Sequence, residues 1–508
     1  MADPSFRKMA IISLCGLLFF GFQNCGFNSD LNSKSISSSS SPTDGLGVVT
    51  TPPAVNLLPK IITPIAIKRA QACANYEISI EAQGVNPLQY KWFRNGVAVL
   101  SATPQKATLT LPIDDPDFYS SYKVSVTDIN GTVMSEALTP TMQFIKAVKV
   151  STGGGYHRCA TYDDGKVRCS GNNMFGQLGD RSLITSPIPL VNKELLSEAI
   201  DITAGPQHTC ALTKDGPYCW GHNNNGQFGD DTLNDSLTPV PVKNLKTGVT
   251  KIVAGGVWGS NGNNTVYDNG FTCALKDGAV FCWGYSTTSV IGPQTNTSVQ
   301  KIPVAIPVLT ANVVDLAAGY SHACAVQNNQ AYCWGGNGSD GRLGDGSTVA
   351  KATPVLVQGL SGNVTAIGTG YSFSCAIAGE KTYCWGSNSN GQMGQPAATL
   401  AKSLTPVEVP GMSEAIKLSV TDYSGCVVKK NFEVWCWGMA VNSPAPKLIK
   451  KLSKLPDSIG VLGMGGAGSV SVVTDGFIYA QGSNMSSHMG LGAGAAVGTG
   501  LSCLDEKP

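Results

Sequence analysis

Six pairs of cysteines stand on an almost fixed ruler in this 508-residue chain. The first members are Cys159, Cys210, Cys273, Cys324, Cys375 and Cys426, separated by 51, 63, 51, 51 and 51 residues. Their second members follow nine or ten residues later, at Cys169, Cys219, Cys282, Cys333, Cys384 and Cys436. A period near 50 held for so long requires one supersecondary unit stacked many times, each burying its apolar face against the next. Cysteines paired at this density point to an oxidising compartment outside the cytosol.

The second unit shows the whole pattern. Ala204-Gly205 leads to His208, Cys210 and Ala211, and Asp215-Gly216 to Cys219-Trp220-Gly221 and Asn223. Gly226-Gln227-Phe228-Gly229-Asp230 and Pro239-Val240-Pro241-Val242 close the unit. Its apolar runs are short and bounded by Gly, Asn, Asp and Pro, which predicts antiparallel strands rather than helices. About four strands fit in 51 residues, the size of a propeller blade. Asp-Gly recurs at Asp164-Gly165, Asp277-Gly278 and Asp475-Gly476, where Asp caps and Gly closes a hairpin. Cys210 and Cys219 are symmetric about the Lys214–Asp215 bond, so the two members of each pair should face one another and join as a disulfide.

A seventh unit has lost its cysteines. Asp475-Gly476 puts Val470 and Ala480 at the cysteine positions and Gln481-Gly482 at the Trp-Gly position. The third unit is twelve residues longer than the ruler allows, the extra segment lying between Gly255 and Phe271. Seven units of this size make one closed ring. Its last unit ends in a Gly- and Ala-rich run, so the strand that closes the ring is expected from 137–145, where Leu138-Thr139-Pro140 matches Leu237-Thr238-Pro239. The competing reading gives 133–142 to the preceding domain.

On these motifs, Gly-x-x-His-x-Cys-Ala and Trp-Gly-x-Asn-x-x-Gly-Gln-Leu-Gly, residues 146–502 resemble the repeats of the regulator of chromosome condensation family. The resemblance implies a seven-bladed β-propeller, closest to exported bacterial members that carry an extra cysteine pair. No function is implied, because members differ in activity.

The N-terminus reads as an export signal over 1–24, with Arg7 and Lys8 before the apolar run Met9 to Phe22. That run is too short to span a bilayer. Cys25 directly after it resembles the lipid-modified cysteine of bacterial lipoproteins, which would anchor the chain without a spanning helix. The Ser-rich stretch that follows, 25–54, is a tether with too little apolar surface to fold. Residues 55–143 then read as a small all-β domain. Ile78 and Ile80 alternate in one strand, Trp92 lies in the third, and Tyr122 stands two residues before the core position Val124. The arrangement resembles an immunoglobulin-like sandwich without its disulfide. The fold class expected is thus all-β, a seven-bladed propeller over 144–503 preceded by a small sandwich.

Net charge is +1 and the charged fraction 14%, so no basic surface argues for nucleic acid. Of sixteen cysteines, twelve form the regular pairs, and Cys73 and Cys503 remain once Cys15 is assigned to the signal and Cys25 to lipidation. Intervals of eight or nine residues within the pairs are far from zinc-site spacing, so no metal is expected. His157, His208 and His322 share one repeat position, where a residue ties a strand to its neighbour. No catalytic residue and no cofactor emerge. Asp230, Asp231, Asn234 and Asp235 crowd one loop, better read as turn chemistry than calcium binding. The insertion stands apart: Trp258 and Tyr267 lie in a segment the repeat does not need, and such insertions map to one, often binding, face.

The function expected is a non-enzymatic binding or scaffold protein of the bacterial envelope. It is read as a monomeric outer-membrane lipoprotein, with secretion as the alternative, presenting its propeller to a protein or glycan partner. The rival class is a propeller enzyme acting on an extracellular polysaccharide or peptide. That reading requires acidic or His residues to converge on the central channel, and the repeat-aligned positions are expected to supply none.

Overall fold

The computed structural model describes residues 57–69, 76–99, 107–111, 120–139, 147–260, 266–285, 289–293, 298–452, 455–456, 458–464, 467–474, 477–482 and 497–503. The export signal, Cys25, the tether and Cys73 lie outside them.

The first described region holds β1 (Lys60–Arg69), β2 (Tyr76–Gln83), β3 (Gln89–Arg94), β4 (Val97–Ala98), β5 (Thr108–Leu111), β6 (Tyr122–Asp128) and β7 (Gly131–Met134). They pair as two sheets, β1-β2-β5 and β4-β3-β6-β7. Alternation in each strand sends one face inward. Ile65, Ile78, Ile80 and Leu109 from the first sheet meet Trp92, Tyr122 and Val124 from the second in one buried cluster. Trp92 sits directly opposite Val124 on the neighbouring strand, so ring and branched side chain pack as a cross-strand pair.

Leu138 bridges Tyr122 through two backbone hydrogen bonds, of 2.7 and 2.9 Å. This corrects the expected ring closure. Leu138 thus belongs with the first region, and the seventh repeat draws its fourth strand from Val497–Cys503. The Gly- and Ala-rich run conceals that strand because the strand begins only after it.

Seven four-stranded antiparallel sheets follow, one per repeat, each in sequential strand order. The second is Ala199–Ala204, His208–Thr213, Gly216–Gly221 and Ser236–Pro241. First strands lie against first strands of neighbouring sheets, and Ser458–Met464 of the seventh lies against Ala147–Gly153 of the first. Glycine is required where these strands end. A Cβ on Gly319 would fall 2.4 Å from the Gly370 carbonyl oxygen of the next sheet, a distance no side chain tolerates.

Turn length explains the two cysteine spacings. Where nine residues separate the pair, two residues make the turn, as at Asp277-Gly278 with φ of 51° and 78°. Where ten separate them, as at Cys159 and Cys169, the turn has three residues, Asp163 to Gly165, and Gly165 takes a positive φ. Either way the cysteines end directly opposite each other, and all six pairs are joined within their own sheet. In the seventh sheet the register sets Ser471 against Ala480 and Val470 against Gln481. The first cysteine position is therefore Ser471, one residue from the Val470 that the ten-residue spacing suggested.

Apolar cores lie between sheets, not within them. One cluster joins Val326, Cys333 and Leu343 of the fourth sheet to Val364, Ile367 and Trp385 of the fifth. Trp220, Trp283, Trp334, Trp385 and Trp437 are all fully buried at such junctions. Each ring contributes the largest apolar surface of its junction, a few kcal/mol of burial.

Candidate binding face

Residues able to do chemistry are consumed by the sheet junctions. His157 Nε2 lies 3.0 Å from Thr209 Oγ1, His208 Nε2 3.0 Å from Thr272 Oγ1, and His322 Nε2 2.8 Å from Ser374 Oγ. Each hydroxyl donates its one proton to a loop carbonyl, that of Gln177, Gln227 or Arg342. It must therefore accept from a protonated Nε2, which fixes the neutral tautomer. The same carbonyl accepts the indole N–H of Trp220, Trp283 or Trp385. Burial, with His157 and His222 nearby, pushes His208 down to about 3, and burial beside Arg342 holds His322 well below its ordinary value. Neutral, buried and tied, these histidines connect sheets.

The acidic loop is likewise absorbed. Asp230 caps its own turn through Thr232, Asp235 accepts from His222 and from the Asn223 amide, and Asp231 pairs with Lys243. Among the described residues no group of three acidic, His or Cys side chains is arranged to hold a metal. The sequence reading included the asparagine of Trp-Gly-x-Asn in the motif but gave it no role. Asn223 Oδ1 accepts the Phe228 amide while its Nδ2 reaches Asp230, and Asn173, Asn337 and Asn388 clamp their loops alike. Its recurrence at one repeat position was the available signal.

First strands of the sheets line a central cavity of about 250 Å³. Side chains stitch its wall from sheet to sheet: Ser151 Oγ accepts the Ala204 amide at 3.0 Å, and Thr203 Oγ1 the Ala254 amide at 2.9 Å. Contrary to expectation, repeat-aligned positions on these strands do carry acids. Asp201 and Asp315 alternate with Lys149, Lys251 and Lys417. Lys149 pairs with Asp201, Lys251 lies 2.5 Å from Asp315, and Asp315 also accepts the Ile367 amide. Each of these two carboxylates thus has its own lysine.

The loops joining first to second strands gather at the opposite end. Backbone bonds run in series from Gly256 to the Gly319 carbonyl, Tyr320 to Gly370, and Tyr371 to Asp422. Tyr320 and Tyr371 stack with centroids 4.3 Å apart, and Tyr371 and Tyr423 at 5.3 Å, all half-buried. Here the third-repeat insertion emerges. Trp258–Ser260 and Val266–Asp268 form their own two-stranded ladder, Trp258 opposite Asp268 and Gly259 opposite Tyr267, separate from the four-stranded sheet beneath. The side chains of Trp258 and Tyr267 lie outside the described residues, as does that of Cys503.

The profile described as Regulator of chromosome condensation (RCC1) repeat matches residues 164–212, 217–260, 277–326 and 328–377. Its first match runs from the turn of one sheet into the second strand of the next, so a sequence repeat straddles a junction. The E3 ubiquitin-protein ligase HERC2 of Mus musculus is 33% identical over 245 residues, covering 44% of this chain but 5% of that protein. RUG3, a mitochondrial RCC1 domain-containing protein of Arabidopsis thaliana, is 27% identical over 268 residues, 51% of this chain and 58% of the relative. The structure of Prp20p from Saccharomyces cerevisiae superimposes with a TM-score of 0.54 at 20% identity, covering 67% of this chain and 86% of that one. The chain carries RCC1 repeats in a propeller-like, all-β fold.

Proposed function

We propose that this chain is a non-enzymatic binding or scaffold protein. In this reading a closed, seven-bladed, disulfide-braced propeller offers the face bearing the Trp258–Asp268 hairpin to a protein or glycan partner. One observation carries it: the hairpin has its own ladder, apart from the sheets, and rises beside half-buried tyrosines. Supporting it, the repeat histidines and the acids of the Asp230–Asp235 loop are tied into structure. A relative of the same fold, Prp20p, is described by its binding to Gsp1p and histones, which supports a binding role in general but no particular partner.

Anchoring completes the proposal. The leader, Cys25 and the Ser-rich tether suit a monomeric lipoprotein of a bacterial outer membrane, and the two-sheet region suits an immunoglobulin-like spacer. Cross-linked pull-down from envelope extracts, with the full chain as bait, should capture a partner that Trp258→Ala and Tyr267→Ala lose. Each hot-spot truncation should weaken binding about thirtyfold. Unchanged capture by both variants sinks the assignment of the face. Cys25→Ser should move the protein from membrane to soluble fraction, and unchanged fractionation removes the lipid anchor.

A further inference from the structure

The two ends of the central cavity differ in how their charges are balanced. Where the first strands begin, Lys149, Lys251 and Lys417 are held by Asp201, Asp315 and the Pro456 carbonyl. Where they finish, Asp422 is the one carboxylate among the described residues lining the cavity, and no Lys, Arg or His pairs with it. Two hydroxyls share the wall beside it. Thr369 Oγ1, on a side chain only 5% exposed, and Thr421 Oγ1 are buried with no hydrogen-bond partner among the described residues. Buried polar atoms left unpaired are rare, because each gives up its water without replacement. A carboxylate and two orphaned hydroxyls on one cavity wall can each accept, and no cation is paired with them among the described residues.

We propose that this end of the channel takes the ammonium of a lysine side chain on a partner protein, with Asp422 as counter-ion and the Thr369 and Thr421 hydroxyls as acceptors. The inference rests on the binding reading and deepens it by naming the chemistry of one contact. An ammonium carries three donors on a compact head, matching three separate acceptors, whereas a guanidinium seeks a planar, bidentate carboxylate. One carboxylate alone is too few ligands for a divalent metal, and no larger cluster surrounds it among the described residues. Tyr423 follows Asp422 directly and the Tyr371 amide donates to the Asp422 carbonyl, so in this proposal the stacked tyrosines adjoin the site and flank the lysine stem.

Burial pushes the Asp422 carboxyl up to about 7, only partly opposed by its own backbone amide. Among the described residues the other charged group lining the cavity is Lys251, already held by Asp315. An ammonium competes with the proton for Asp422, so affinity should fall as pH drops below about 7.

The test uses the full oxidised chain and n-butylammonium as probe, followed by ligand-observed NMR. Binding is expected at pH 8, at least tenfold weaker at pH 5.5, and undetectable for n-butanol or N-butylacetamide. Asp422→Asn should abolish it and Thr369→Val weaken it severalfold. Fold integrity has its own readout. A carboxyl raised from 3.8 to about 7 keeps its proton in the folded state, so native stability falls as pH rises through that window. Asp422→Asn should therefore melt at the same or a higher temperature than the parent at pH 8. No binding by the parent, equal binding by Asp422→Asn, equal binding of n-butanol, or displacement by equimolar sodium each overturns the ammonium site. A captured partner that holds parent and Asp422→Asn equally overturns this site and leaves the binding face standing. Capture lost in the Trp258 and Tyr267 variants but kept with the probe bound separates the two in the other direction.

Discussion

Three sheet junctions are latched by a histidine and a hydroxyl, and two are filled by a phenylalanine. His157, His208 and His322 meet Thr209, Thr272 and Ser374. At the third and fifth sheets Phe271 and Phe373 occupy the histidine position, each opposite the same glycine of its own sheet. Across those two junctions the hydroxyl has become Ala323 or Gly425, each opposite the buried Trp of its sheet. The two residues change together although they are about 50 positions apart. A buried imidazole without an acceptor leaves its N–H unpaired, while a hydroxyl facing a ring keeps only its bond to the loop carbonyl, so the matched pair avoids the larger cost. The indole bond to the preceding loop carbonyl persists at both kinds, from Trp334 to Val290 and from Trp437 to Gln392. At these five junctions the Trp is constant and the variable pair must only be self-consistent, whereas the first and seventh sheets carry Ser170 and Gln481 at the Trp position.

The sharpest test removes the constant element. Trp334→Ala and Trp385→Ala should each lower stability by about 3–5 kcal/mol through loss of the ring. Arg342 keeps its bond from Ser374 when Trp385 goes, whereas the Val290 carbonyl loses its one donor among the described residues. Trp334→Ala should therefore be worse by about 1 kcal/mol, measured as urea unfolding of the oxidised protein. Equal losses would mean that the second donor contributes nothing.

Mixing the two kinds of junction comes next. Phe271→His puts an imidazole across the junction from Ala323, where that side chain cannot accept its proton, at a cost of about 1–3 kcal/mol. Adding Ala323→Ser should recover a large part, a coupling of about 1 kcal/mol in the double-mutant cycle. Strict additivity breaks the claim that the pair is a unit.

Acid separates the junctions without mutation. The unfolded chain protonates its histidines near 6.5, while His208 in the folded chain resists until about 3. Stability is therefore full above 6.5 and is lost as pH falls toward 3, at about 1.4 kcal/mol per unit for each such histidine. Converting one latch to the apolar kind, His208→Phe with Thr272→Ala, should remove one share of that slope between pH 6 and 4. A slope left unchanged assigns the acid sensitivity elsewhere.

Much of this was legible because repetition averages out local ambiguity. The cysteine ruler marked the hairpins, and the symmetry of Cys210 and Cys219 about their turn placed them opposite one another. Legibility failed where the repeat thins. Val497–Cys503 lacks the Pro-Val pattern, so the seventh sheet looked one strand short. Ser471 was displaced by one residue because both spacings occur in the chain, and only the turn length decides between them. The exchange of His with Thr or Ser for Phe with Ala or Gly was present in the sequence. It is visible only when residues of successive repeats are compared across a junction, not within one unit. Asp422 was hidden differently: it stands where the fourth and fifth repeats have Tyr320 and Tyr371, and only the ring brings it beside Thr369.

The smallest effect expected tests whether the hairpin belongs to its Phe junction or merely adjoins it. Phe271 follows the insertion closely, which invites the idea that the insertion forced the change from histidine. Phe373 argues otherwise, because the fifth repeat carries the same exchange with no insertion. The hairpin also has a closed neck: the Asn269 amide donates to the Val257 carbonyl at 3.0 Å, and Gly256 is tied to Gly319 below it. Replacing residues 258–268 with a two-residue Asn-Gly turn therefore keeps both bonds. Stability should change by no more than about 0.5 kcal/mol, the range of surface substitutions away from packed features. Thermal unfolding of the shortened chain checks this directly. A melting temperature unchanged within about 2 °C leaves the hairpin available for recognition, whereas a fall of about 5 °C or more would make it part of the third junction and remove the argument that packing does not need it.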